Sequence, residues 1–174
     1  MLFNLMKNLK TYSLFLVIVL TLCLSRIIPH PPNFTPIISL AIMGPFLFGG
    51  LLISLICVMS SMFLSDLIIG VHSGMLQIYL IITLLSFIFS KYKNNLNKSN
   101  VLFFSIYGST IFFIISNLNV WIFSNLYTKN LEGLINCYLM AIPFFHNTLI
   151  STIIFSYAIY FISRKAVLAP NYKY

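Results

Sequence analysis

From Pro36 to Ser65 the chain runs for 30 residues without a charged side chain. As a single helix this stretch would be about 45 Å long at about 1.5 Å per residue, well beyond the roughly 30 Å of a bilayer's hydrocarbon core. Gly49-Gly50 falls near its middle, where a glycine pair can end one helix and begin another. A soluble domain carries roughly 25% charged residues. This chain of 174 residues has 10 basic and 2 acidic ones, 7% in all, and is 60% hydrophobic. So few charges cannot cover a water-exposed surface. The composition points to an integral membrane protein, with residues 1–174 forming one transmembrane domain.

Periodicity and length place helices at about 11–28, 36–48, 51–65, 75–90, 101–120 and 143–163. Thr35 is expected to cap the short second helix, with Pro36 in its first position. Residues 131–142 read as a separate interfacial helix, and Pro143 restarts the chain into the sixth span. The Lys7/Lys10 start followed by an apolar run resembles a signal peptide. That run reaches Leu24 with no small-residue cleavage site, so it reads as a retained first span.

Lysine and arginine decide between one long span and two short ones over 36–65. With two, Lys7, Lys10, Lys91, Lys93, Lys98, Arg164, Lys165 and Lys173 share one side, and only Arg26 and Lys129 lie on the other. With one, most of the bases lie outside. The positive-inside rule selects the first arrangement. The expectation is an all-α, polytopic protein of the cell (inner) membrane, with six transmembrane helices and both termini cytoplasmic.

That topology sends the remaining polar residues to the outer end: Asp66, Glu132, His30, His72, His146, Trp121, Tyr138 and the proline cluster. The net charge of +8 sits in short connectors, so it does not read as nucleic-acid binding. Cys23, Cys57 and Cys137 have no metal-ligand spacing. No HExxH, GxSxG or phosphate-loop pattern occurs, so no catalytic residue, metal site or cofactor is assigned and the chain is not expected to be an enzyme. No charged ring or filter repeat suggests a channel.

Four outer elements carry the candidate substrate-binding residues. In "RIIPHPPNFTP", Pro31 and Pro32 stiffen a loop that holds Arg26, His30, Asn33 and Phe34, as a lid would. The alternative is a stiff turn whose Arg26 reaches lipid phosphates. "SDLIIGVHSG" contributes Asp66 and His72. An acid at a membrane helix end usually has a partner, and Arg26 is the obvious one, either at a ligand site or as a staple between helices. In "SNLNVW", Asn117 and Trp121 share a helix face, although Trp121 also suits an interfacial anchor. Finally come Tyr138, His146 and Asn147, with Asn147 and Ser151 forming a polar stripe.

The stretches "RIIPHPPNFTPI", "SDLIIGVH", "NVW" and "CYLMAIPFFHNTL" together resemble an uncharacterised family of small six-helix transport-type proteins. That family in turn resembles the substrate-binding S components of energy-coupling-factor (ECF) vitamin transporters. The resemblance implies an S-component-like bundle with an external pocket under the loop between helices 1 and 2. It also implies uptake of a small nutrient such as a vitamin or precursor, and work with an ECF-type coupling subunit and ATPases. Helix 1, "TYSLFLVIVLTLCLS", lacks the small-residue docking pattern of S components, and Ser151 stands where the resemblance leads one to expect an acid. The competing reading is a non-catalytic scaffold of the same fold. The partners expected are thus a small-molecule substrate and the lipid bilayer, with no nucleic acid.

Overall fold

A computed structural model describes residues 2–71, 74–92 and 96–166, with side chains from Phe15 to Arg164 within those ranges. Six helices follow one another: α1 Leu2–Ile27, α2 Ile37–Leu47, α3 Leu51–Ile69, α4 Met75–Ser90, α5 Lys98–Phe123 and α6 Leu131–Ala166. The described residues contain no strand.

The glycine pair does split the uncharged run. α2 ends at Leu47, Gly49 takes φ +71°, and α3 begins at Leu51. Only glycine enters that left-handed region without a Cβ penalty. All 11 residues of α2 are buried, because α3, α4, α5 and α6 pack around it. At about 1.5 Å per residue it is roughly 16 Å long, too short to cross a bilayer. A helix that is apolar all round belongs inside protein, and enclosure removes the need to match the membrane's thickness.

Three expectations about helix ends are corrected. Thr35 does not cap α2: Pro36 is the N-cap, with no side-chain capping bond, and Thr35 lines a cavity instead. Residues 131–142 are not a separate helix, since α6 runs unbroken for 36 residues through Pro143. Proline removes one N–H, the one that would reach the Leu139 carbonyl, but neighbouring helices make such a break tolerable in membrane helices. α5 packs along α6. The Asn130 side chain accepts the Gly133 N–H at 2.8 Å, which starts the helix well before the proline. α3 also extends to Ile69, where Gly70 at φ +101° stops it, so Asp66 lies on a helix rather than in a loop.

Among the described residues, three helices are long and apolar enough to cross a membrane: Leu51–Ile69, Lys98–Phe123 and Leu131–Arg164. Phe15–Ile27, Ile37–Leu47 and Met75–Ser90 are apolar but shorter. The outer faces carry Leu16, Leu20, Leu52, Leu67, Leu80, Phe103 and Ile154, all exposed. A bundle with apolar side chains both inside and outside is that of a membrane protein.

Close packing around α2 yields a stability prediction. A Cβ on Gly44 would overlap the Ser54 hydroxyl. Gly44→Ala is expected to cost about 1–3 kcal/mol, the usual range for overpacking. Ser54→Ala should recover most of it, because it removes the clashing oxygen and a buried hydroxyl that has no partner among the described residues. Thermal unfolding of the two variants and their combination in detergent checks this.

Candidate ligand-binding site

The end of the bundle that carries the 28–36 loop gathers the C-terminal ends of α1, α3 and α5 and the N-terminal ends of α2, α4 and α6. Arg26 in the last turn of α1 reaches across to α3. Its Nη1 donates to the Met62 carbonyl at 2.9 Å and to the Ser65 hydroxyl at 2.5 Å. Its Nη2 lies 2.6 Å from Asp66 Oδ1, an ion-pair contact rather than an aligned hydrogen bond. Asp66 Oδ2 accepts from the Tyr79 hydroxyl at 2.8 Å. The Asp66 side chain is 2% exposed and that of Arg26 17%. A buried carboxylate thus holds the guanidinium at the cavity wall and cancels its charge.

The proline loop is built as a tight turn. The Phe34 N–H donates to the Pro31 carbonyl at 3.0 Å, and Asn33 has φ +62°. Proline second and a left-handed asparagine third are the residues a type II turn requires. His30 Nδ1 also donates to the Pro31 carbonyl at 2.8 Å. The next carbonyls are held by α6. Asn147 Nδ2 donates to the Pro32 carbonyl at 3.1 Å, and the Ser151 hydroxyl to that of Asn33 at 3.4 Å. The Phe34 ring meets Phe155 edge-on at 5.9 Å. Residues 147, 151 and 155 are spaced one turn apart, so a single stripe of α6 grips the loop.

Beneath this loop lies a cavity of about 650 Å³, within the roughly 300–1,000 Å³ of small-molecule sites. Arg26, His30, Asn33, Thr35, Gln77 and Asn119 are among its polar lining, and Ile37, Ile81, Ile82, Phe112 and Phe123 among its apolar walls. Among the described residues no acidic side chain lines it, and Arg26 is the one fixed charge in its wall. The Gln77 amide and Thr35 hydroxyl have no hydrogen-bond partner among the described residues, and neither does the Asn33 side chain. The chemistry on offer is therefore amide and hydroxyl hydrogen bonding between aliphatic walls, without net charge.

The predicted residues divide. Arg26, His30 and Asn33 line the cavity, and Asp66 is the buried counter-ion behind Arg26. Asn117 lines a smaller adjoining recess, with its amide donating to the Phe113 carbonyl at 2.7 Å. Phe34 and Asn147 hold the loop. Trp121 donates to the Thr128 carbonyl at 3.0 Å, and Lys129 bonds the carbonyls of Trp121 and Ser124, so this side chain fastens the 124–130 connector. Tyr138 donates to the Ile114 carbonyl at 2.7 Å, tying α6 to α5. His146 is exposed and lines neither space. Arg26, Asp66, Asn117 and His146, all candidates for one site, therefore do not converge on a single cavity. His72 lies outside the described residues.

Sequence reasoning missed Gln77, Ser116 and Asn119. It chose the Asn117/Trp121 face of α5, whereas packing turns the Phe112/Ser116/Asn119 face to the cavity. The polar residues Ser116 and Asn119 carried a signal, but so did Asn117, and only the contact with α6 decides between them. Gln77, the one amide in an otherwise apolar α4, was readable as a polar residue placed on purpose.

Residues 6–171 match a family of unknown function, DUF6580, and the chain belongs to it. No curated protein and no solved structure matches the chain.

Proposed function

We propose that this member of the DUF6580 family is a substrate-binding membrane transport protein that captures a small, uncharged nutrient, of the vitamin or vitamin-precursor class, from outside the cell. One observation carries the reading. A ligand-sized cavity has open amide and hydroxyl groups, the Arg26 charge in its wall is neutralised by Asp66, and a preshaped loop covers it. A few open polar groups set among apolar walls are the make-up of a small-molecule site.

The same reading takes α1 to α6 as six membrane crossings, with the cavity facing out. Support comes from the charges. Arg26 and Lys129 sit at the loop end, while Lys91, Lys98 and Arg164 sit at the other, where the positive-inside rule puts the cytoplasm. α2 crosses only as an enclosed helix, with the 28–36 loop completing the path. The resemblance to ECF S components supports the same topology. On this reading energy comes from separate coupling and ATPase subunits. The scaffold alternative draws support from the Arg26–Asp66–Tyr79 contacts and the grip of α6 on the loop, which also staple helices together.

Mass spectrometry of small molecules retained by the purified protein tests the proposal. The comparison is with Gln77→Trp, which removes the open amide and pushes an indole into the cavity. Parent protein is expected to retain an uncharged small molecule that the variant, with equal thermal stability, has lost. Equal retention by both would contradict a ligand in this cavity.

A further inference from the structure

A second space of about 190 Å³ adjoins the cavity and shares Asn33, Ile78, Phe112, Ser116 and Val120 with it. It is smaller than the roughly 300–1,000 Å³ of an independent small-molecule site. At about 30 Å³ per water-sized unit it holds roughly six such units, the bulk of a short alkyl chain or one ring. Its further walls are Phe113, Ala141, Phe144 and Phe145.

The recess is less polar than its residue types imply. Ser116 and Asn117 both donate to the Phe113 carbonyl of their own helix, at 3.4 and 2.7 Å. Thr148 donates to the Phe144 carbonyl at 2.8 Å. Each of these side chains already makes one bond within α5 or α6, which leaves the second N–H and Oδ1 of Asn117 and the shared Asn33 side chain as the open polar groups of the recess. The main cavity keeps the Gln77 and Thr35 groups open. Phe144, from α6, lines the recess and is 44% exposed.

From this contiguity we infer that the ligand is an uncharged amphiphile. Its amide- or hydroxyl-bearing head occupies the cavity under the 28–36 loop, and a short apolar appendage occupies the α5/α6 recess. This rests on the proposed binding function and narrows it to a class. Burial of each methylene in the recess favours binding, whereas a wholly polar molecule leaves the recess empty.

The test uses N-alkyl nicotinamides with methyl, butyl and octyl chains, titrated against the purified protein in nanodiscs. From methyl to butyl, affinity for the parent is expected to rise roughly fifty-fold, the gain of three buried methylenes. In Ala141→Trp, whose indole fills the recess, the rise should vanish while the methyl compound binds as before. Phe144→Ala, which enlarges the recess without adding bulk, should shift the preference from butyl towards octyl. Because it adds nothing to a packed interface, it keeps the test informative if Ala141→Trp fails to fold. A chain-length gain that persists in Ala141→Trp would be partition into lipid and would overturn the inference. So would a parent that binds all three compounds equally or none of them. In either case, retention of a wholly polar compound by the parent but not by Gln77→Trp would leave the cavity's binding role standing.

Discussion

Replacing Asp66 with alanine is expected to destabilise the protein by about 3–5 kcal/mol, the usual cost of breaking a buried ion pair from one side. The variant leaves the Arg26 guanidinium without its carboxylate and the Tyr79 hydroxyl without its acceptor. Asp66 is 2% exposed, so water cannot readily take its place. Much of the penalty belongs to the stranded charge rather than to the bond. Arg26→Gln combined with Asp66→Asn should therefore be considerably more stable than Asp66→Ala alone. Unfolding midpoints of the single and double variants in detergent measure this. If Asp66→Ala unfolds within experimental error of the parent, the pair is not the link between α1 and α3 that the geometry describes.

The second large effect concerns the loop. Removing the α6 grip with Asn147→Ala, Ser151→Ala and Phe155→Ala together deletes two hydrogen bonds to loop carbonyls and one ring contact. At about 1 kcal/mol per hydrogen bond and about 0.5–1.5 kcal/mol for the aromatic pair, the closed loop loses roughly 2–4 kcal/mol. Binding that requires the closed loop weakens in inverse proportion to the fraction of molecules in which it is closed, so affinity is expected to fall by about tenfold or more, while α1 to α6 stay folded. Replacing Pro31 and Pro32 with glycine acts on the same equilibrium through the free loop's entropy and should produce a smaller loss in the same direction. Isothermal titration or retention of the co-purified compound reads both. Unchanged affinity in the triple variant would show that the loop is a turn and not a cover.

These effects trace to residues whose meaning was unevenly visible beforehand. The division of the uncharged run at Gly49-Gly50 followed from its length and the glycine pair, with the lysines and arginines deciding for two segments, and the partnership of Arg26 with Asp66 from the scarcity of charge at helix ends. Both are local or nearly unique signals. The Asn147/Ser151 stripe was visible as a stripe, but not as a clamp on the loop, because its partners are backbone carbonyls more than 100 positions away. The continuity of α6 through Pro143 was hidden for a related reason: proline breaks an isolated helix, and only packing against α5 shows that this one persists. The face that α5 turns to the cavity depends on rotation about its axis, which a sequence with polar residues on two faces does not fix. Complete enclosure of α2 is likewise a property of its four neighbours, although its uniform apolarity agrees with it.

The claim on which the functional reading depends most is that the cavity opens to the outside. It is tested directly in a chain whose Cys23, Cys57 and Cys137, all buried, are replaced, and which carries either Asn119→Cys in the cavity or Ser90→Cys at the opposite end of the bundle. A membrane-impermeant maleimide is applied to intact cells and then to permeabilised ones. The account predicts that Asn119→Cys reacts in intact cells and that Ser90→Cys reacts only after permeabilisation. The reverse pattern would turn the cavity towards the cytoplasm and contradict capture from outside.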